Sequence, residues 1–509
     1  MRGMNVASLS EAAAERFGDY RALWFEGRWY SSGELHRATQ ALTGGLRHLG
    51  VSPGDRVVVT MMNCPEVGVT YGGLWRAGAA VVPVLFLLTA EELRHILRDS
   101  GAVAVVTTPE LLAKVREAAG DVAGVRHIIV VDGAGTADPR EVNFAELVAG
   151  SPDIAIHSSA PGDVAVVFYT SGTTGNPKGV LLSHANLLAM AENAHATHSF
   201  GDGQVGLACL PLAHAYGISA ALASSYTRGT GVMMRWFDAG EALRLIEEFQ
   251  VTITALVPTM MVFLLAHPEA ATRDTSSLAY VISGGAALPL EVQRDFEKHF
   301  DCTVLQGYGL SESAAQCSMN TPDANRPGSV GRPVHGVEVA IAGEDGRRLP
   351  AGELGEIVIR GDNVMLGYHG MRSESAQVVS EGWLHTGDVG RLDEDGFLYV
   401  VDRMKDLIIR GGFNILPRDV EEVLHQHPAV AQAAVIGVPD PAMGEQVRAY
   451  VVLNGTAASP DELLAFCRGR LAAYKCPSSL VVAPSLPINA IGKVLKKELR
   501  AQLAAETAG

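Results

Sequence analysis

Val164-Ala165-Val166-Val167-Phe168-Tyr169-Thr170, followed at once by Ser171-Gly172-Thr173-Thr174-Gly175-Asn176-Pro177-Lys178-Gly179, is the stretch whose reading decides the fold. Its first half is a β-branched and aromatic run that reads as a buried strand. Its second half sets hydroxyls and open backbone N–H groups beside one lysine, a combination suited to a phosphate chain. The pattern is not a Walker A loop, because Pro177 stands where the second glycine belongs and Gly179 where the metal-binding Ser or Thr belongs. The bland alternative is a Gly/Thr turn.

Other strands end in the same manner. Leu278 to Ile282 runs into Ser283-Gly284-Gly285, Thr303 to Leu305 runs into Gly307-Tyr308-Gly309, and Val251 to Val257 stops at Pro258-Thr259. Ligands of open α/β sheets bind beyond the carboxyl ends of strands, so these endings predict one floor of one site. Upstream, Leu35, Ala38, Leu42, Leu46 and Leu49 recur at helical spacing between Ser31 and Gly50. The runs Arg56 to Thr60, Ala102 to Thr107 and His127 to Val131 then alternate with helical segments, the pattern of parallel strands with crossovers. The apolar run Ala79 to Leu88 is too short for a bilayer and reads as core.

Beyond about residue 330 short strands and tight turns predict a small β-rich subdomain, with GELGEIVIRG at 352 to 361 and FLYVVDR at 397 to 403. From Arg403 onward a helix (Pro417 to His425), strands (Val430 to Val438, Val447 to Leu453), a helix (Ser459 to Ala473) and a last strand-turn-helix form an α+β unit. The expected fold class is α/β. A large N-terminal domain of parallel-rich sheets with helices and the β-rich subdomain fills 1–402, and a small mobile α+β domain fills 403–509.

A chain of 509 residues has room for two to four domains. Hydrophobic residues make up 48%, charged residues 19%, and the net charge is −16. Such a field repels polyanions, so nucleic acid is not an expected partner and a nucleotide needs local donors and metal. Six scattered cysteines without a C-x-x-C pair suit free thiols in a reducing cytoplasm. The N-terminal stretch has no apolar h-region, so no signal peptide and no transmembrane segment are expected. Self-association into a homodimer stays open.

YTSGTTGNPKGV resembles the signature of the adenylate-forming superfamily of acyl-CoA synthetases, luciferases and peptide-synthetase adenylation domains. The resemblance covers nearly the whole chain, with PLAHAYG (211 to 217), SGGAAL (283 to 288), QGYGLSES (306 to 313), WLHTGDVG (383 to 390), DRMKDLIIRGGFNILP (402 to 417) and IGKVLKKELR (491 to 500) in the family's order. It implies that Thr170, Ser171, Gly172, Thr173, Thr174, Gly175 and Lys178 hold phosphates, with Gly284, Gly285, Ala286, Gly307, Tyr308, Gly309 and Ser311 around the nucleotide. Tyr308 would stack on adenine. Ser311, where the family usually has Thr, would touch the α-phosphate region. Glu312 would ligate Mg²⁺, a hard cation that needs oxygen. Asp388 would take the ribose hydroxyls and Arg403 would add a donor.

By the same resemblance Lys493 reaches the α-phosphate and the substrate carboxylate, where negative charge builds. The preceding Pro487-Ile488-Asn489-Ala490 departs from the family's Pro-Arg-Thr. His214 marks the wall between nucleotide and acyl group, Gly411 and Gly412 border the CoA tunnel, and Lys405 is the hinge. The acyl pocket is expected from His214, Tyr216, Gly217, Met260, Gly284, Ala314, Ala315 and Gln316, mostly small or flexible residues without an arginine for a second carboxylate. His195 with His198 and His425 with His427 have metal-like spacing but no third ligand motif, and are read as structural.

The expected function is an acyl-CoA ligase using ATP, Mg²⁺ and coenzyme A. A sizeable apolar acid becomes acyl-AMP, and CoA then displaces AMP. The altered segment before Lys493 keeps open a specialist for the second half-reaction. A free-standing adenylation domain loading a carrier protein also stays open, whereas a full peptide-synthetase module would need a carrier domain. A noncatalytic nucleotide-binding protein is the reading from another class.

Overall fold

The computed structural model describes residues 5–133, 138–170, 177–198, 200–488 and 494–508. Val164–Thr170 is a strand as its composition predicts, and it lies in an eight-stranded sheet. On one side it runs parallel to Ala80–Pro83, and beyond that come Arg56–Thr60, Ala104–Thr107, His127–Val130 and Glu141–Asn143, all parallel. On its other side Lys178–Ser183 returns antiparallel, and Gly367–Tyr368 closes the edge. The central parallel strands Arg56–Thr60, Ala80–Pro83, Ala104–Thr107 and His127–Val130 are largely buried on both faces, which is why they read as continuous apolar runs rather than alternating ones.

The remaining strand endings expected on the same floor belong to a second, nine-stranded sheet. Its parallel centre holds Thr303–Tyr308, Tyr280–Ser283, Ile253–Leu256, Val205–Ala208, Thr230–Met233 and Arg21–Phe25. The floor is thus made by the carboxyl ends of strands from two sheets. Nothing in an apolar run marks which sheet it joins, and the expectation of one floor did not say how many sheets supply it.

The crossover helices are set by ordinary signals. Ser31 accepts from the Glu34 N–H at the start of Ser32–His48, and the Thr89/Glu92 pair forms a capping box on Ala90–Ser100. Pro417 occupies the first turn of Pro417–His425. Two expectations need correction. The helix expected over 459 to 473 is Pro460–Arg468, which ends at Gly469 in a turn where Arg470 and Leu471 N–H both reach the Cys467 carbonyl. In the run Ala79 to Leu88, only the part through Val84 is core, and Leu87 is 51% exposed.

An antiparallel β-unit follows, with Val337–Ala342, Gly355–Gly361, Trp383–Leu392, Val379–Ser380 and Leu398–Arg403. The last unit has its own sheet of Phe413–Ile415, Ile408–Arg410, Gly444–Leu453, Val430–Asp440 and Ser479–Val482. Its core, from Ile408 to Leu480, draws on no residue before 408. No helix among the described residues is long and apolar enough to cross a membrane.

Candidate active site

The two sheets and the C-terminal unit enclose a cleft of about 2380 Å³. The phosphate-loop residues Ser171, Gly172, Thr173, Thr174 and Gly175 lie outside the described residues, but both flanks are fixed. Thr170 and Lys178 are the paired ends of adjacent antiparallel strands, and both line the cleft. Gly179 is closely packed there. A Cβ would lie 3.0 Å from Val167 Cγ1 and 3.2 Å from both the Tyr169 ring and His369 Cβ.

Glu312 enters from the other sheet, on the short helical turn Ser311–Ser313 that follows strand Thr303–Tyr308. Tyr368 donates its hydroxyl to Glu312 Oε1 at 3.0 Å, and the Lys178 ammonium sits 5.3 Å from the centre of the Tyr368 ring. Burial and the adjacent Glu312 carboxylate push the Tyr368 phenol well up, so it stays a donor. Glu312 itself lines the cleft. A carboxylate held by one oxygen in this way suits a hard divalent cation brought in by a triphosphate, so the donor set fits Mg²⁺.

Tyr308 and Asp388 meet across the cleft from strands 80 residues apart. The Tyr308 hydroxyl donates to Asp388 Oδ2 at 2.6 Å, and Arg403 Nε lies 3.1 Å from Oδ1. Asp388 is 3% exposed, its N–H bonded to Thr386 Oγ1, which itself donates to the Ile357 carbonyl. Glu356 braces the same loop, accepting from Gly387 N at 3.0 Å and lying 2.8 Å from His385 Nδ1. Sequence reasoning missed Glu356 and Tyr368, because their partners lie tens of residues away. The only sequence signal for Glu356 is its place in GELGEIVIRG.

Gly284, Gly285, Ala286, Gly307, Gly309 and Ser311 all line the cleft. A Cβ on Gly309 would sit 2.0 Å from the Ala315 carbonyl oxygen, and a Cβ on Gly284 would touch the Tyr216 ring at 3.3 Å. His214 caps helix Ala215–Ala223, its Nδ1 accepting from Tyr216 N, while Tyr216 donates to the Ile282 carbonyl. His214, Tyr216, Met260, Ala315 and Gln316 line the cleft as expected. Gly217 and Ala314 do not. Gly217 packs against Pro211, whose carbonyl oxygen a Cβ would meet at 2.3 Å, and Ala314, at φ 51°, turns wholly into the core. Both are corrections to the expected pocket wall.

From the C-terminal unit, Lys405, Arg418, His425 and the stretch Val494 to Lys496 face the cleft. Lys405 sits on the turn Met404–Asp406, and burial and then Arg403 lower its pKa. Burial opposes the charge of Lys496, but Glu421 at 2.8 Å, Asp402 and Asp406 outweigh it and hold the ammonium protonated. Lys493 lies outside the described residues. Gly411 and Gly412 are not brought to the cleft. With φ of 58° and 82° they form the two-residue turn between Ile408–Arg410 and Phe413–Ile415.

Burial raises the thiols of Cys209 and Cys317 to about 12, so no cysteine thiolate stands in the cleft. Among the described residues no group of three or more His, Cys, Asp or Glu side chains could hold a metal. His195 stacks on Tyr226, and His427 packs edge-on against Phe466.

The chain matches the AMP-binding enzyme model over residues 10–369 and the AMP-binding enzyme C-terminal domain model over residues 419–493. It is 38% identical to a feruloyl-CoA synthase of Amycolatopsis sp., covering 98% of this chain and 99% of that protein. It is 37% identical to a long-chain-fatty-acid–CoA ligase of Bacillus subtilis (strain 168), covering 97% and 94%. Among solved structures, the anthranilate CoA ligase AuaEII in complex with anthranoyl-AMP superposes with a TM-score of 0.94 at 27% identity, covering 100% of this chain and 99% of that one.

Proposed function

Because the chain belongs to the AMP-binding enzyme family and is an AMP-forming acid–thiol ligase that uses ATP, Mg²⁺ and CoA, we propose how its own residues divide that work. The observation that carries the assignment is the meeting, in one cleft, of Lys178, Glu312 and the Tyr308–Asp388–Arg403 group. Tyr308 packs adenine, Asp388 with Arg403 holds the ribose, and Thr170, Lys178 and the loop between them hold the phosphates. Glu312 binds Mg²⁺, which neutralises phosphate charge when bound.

The acid's carboxylate attacks the α-phosphorus, the bond to pyrophosphate breaks, and acyl-AMP forms. CoA thiolate then attacks the acyl carbon and AMP leaves. No side chain acts as a nucleophile, so catalysis rests on positioning and on charge placed where it develops. Lys493 supplies that charge at the α-phosphate. His214 stands between nucleotide and acyl group.

The 494–496 stretch at the cleft, with Gly411 and Gly412 off its lining, supports reading this arrangement as the adenylation orientation. Thioester formation then needs the 403–509 domain to turn about Lys405, bringing the glycine turn to the CoA path. The division 1–402 and 403–509 is supported by the self-contained core that starts at Ile408. The unpaired thiols support a cytoplasmic enzyme, and a homodimer is the assembly proposed for it.

The acid is sizeable and apolar. Small or flexible side chains of Ala255, Met260, Ala315 and Gln316 line that part of the cleft, and the relatives named for ferulic and long-chain acids bracket this class. The test is ATP–pyrophosphate exchange beside CoA-thioester formation over a panel of short, aromatic and long-chain acids. Exchange and thioester with a bulky acid are expected. Thioester only from supplied acyl-AMP would instead support the second-half-reaction reading.

A further inference from the structure

We propose that Tyr368 is the positioning residue that sets the metal-binding carboxylate and the phosphate-binding lysine at a fixed spacing. This rests on the assignment of Glu312 as the Mg²⁺ ligand.

The two groups come from different sheets, and their shared neighbour is one side chain. Tyr368 lies on strand Gly367–Tyr368, which pairs antiparallel with Lys178–Ser183 through Gly367 opposite Leu181 and Tyr368 opposite Val180. His369 N–H bonds the Gly179 carbonyl at 2.7 Å and Leu366 N–H bonds the Leu181 carbonyl. On the other side Met365 N–H bonds the Glu312 carbonyl at 2.9 Å. Segment 365–369 is therefore bonded through its main chain both to strand Lys178–Ser183 and to the turn Ser311–Ser313 that follows a strand of the other sheet, and Tyr368 is the side chain it sends between them.

Each end of that side chain meets one proposed phosphate-site group. The hydroxyl donates to Glu312 Oε1, which fixes the carboxylate's rotation and leaves Oε2 for the cation. The ring lies under the Lys178 ammonium at cation–π distance, which restrains a flexible side chain near the triphosphate path. A carboxylate free to turn would pair with that lysine when no nucleotide is bound. Holding the lysine on the ring and one carboxylate oxygen on the hydroxyl keeps the two opposite charges apart and ready.

The two contacts separate chemically. Tyr368→Phe keeps the ring and deletes the hydroxyl, and Tyr368→Leu deletes both. The probe is N-methylanthraniloyl-ATP, followed by fluorescence with and without Mg²⁺, alongside thermal unfolding of each variant. Tyr368→Phe is expected to raise the half-saturating Mg²⁺ about tenfold, the size of one hydrogen bond to a charged group. Its metal-free nucleotide affinity is expected to stay within about twofold of wild type, because the ring contact survives. Tyr368→Leu weakens both. On a Glu312→Gln background, Tyr368→Phe should add nothing.

Wild-type Mg²⁺ dependence in Tyr368→Phe, together with a shift in Glu312→Gln, overturns the role of Tyr368 alone. No shift in Glu312→Gln overturns the metal assignment and this proposal with it. A purely structural tyrosine would lower thermal stability and both affinities together, and that result also overturns it. Should Tyr368→Leu fail to fold, Tyr368→Phe and the double variant carry the test.

Discussion

Tyr308 and Asp388 share a 2.6 Å hydrogen bond between residues on different sheets, and Arg403 takes the second oxygen of the same carboxylate. Burial first, then the Asp388 charge, raises the Tyr308 phenol far above its ordinary value, so it remains a donor at every working pH. Tyr308, Asp388 and Arg403 are therefore one unit. Tyr308→Phe should weaken AMP binding about tenfold, and Asp388→Ala about a hundredfold, the range for hydrogen bonds to a charged group. Calorimetry with AMP measures both. Wild-type affinity in Asp388→Ala removes this unit from the nucleotide site.

Lys493→Ala should cut adenylation by a factor of about 10² to 10³, the usual cost of losing one transition-state donor. Thioester formation from supplied acyl-AMP should survive. Pyrophosphate exchange and thioester assays on the same preparation separate the two, and equal loss in both would contradict the assignment.

The proposed hinge offers a sharper substitution than one at Lys405 itself. Met404 is the first residue of the turn Met404–Asp406, and Arg403 before it is extended at φ −94°, ψ 137°. Proline is at home at a first helical position and wants an extended predecessor, so Met404→Pro fits the present orientation. Adenylation should persist while thioester formation slows. Pre-steady-state rates of the two half-reactions give the answer, and equal rates in both would remove the rotation.

His184 supplies a pH prediction. It is wholly buried, its Nδ1 accepts from the Val6 N–H, and burial lowers its pKa to about 4, with Asp163 opposing and His157 adding to the shift. The unfolded chain takes up a proton as pH falls through about 6.5, and the folded chain does not until about 4. Stability is therefore full above pH 6.5 and is lost as pH falls toward 4, by about 3 kcal/mol. Urea unfolding across that range should show the slope, and His184→Asn, which retains an acceptor, should flatten it.

What the sequence made legible was local. Val164–Thr170 and Pro417–His425 match their expected limits, because a β-branched run and a first-turn proline act over a few residues. The separation of strands into two sheets was not legible, since a strand buried on both faces looks alike in either. Gly217 and Ala314 were placed on the pocket wall by their neighbours in sequence. Two successive left-handed residues, Ala314 and Ala315, decide otherwise: the first is wholly buried in the core and only the second lines the cleft. Tyr368 escaped notice because its meaning depends on Glu312, 56 residues earlier.

The stitching of segment 365–369 has a mechanical consequence. A hinge works only where few bonds cross it, and at this rim main-chain bonds run from the segment to strand Lys178–Ser183 and to the turn that carries Glu312. The segment rivets that strand to that turn beside the proposed phosphate site. Nucleotide and acid are then expected to come and go past the C-terminal unit, as through a door hung on a rigid frame. Loosening the frame, for instance by proline at Met365 or His369, should let the cation and the triphosphate drift apart while the door still swings.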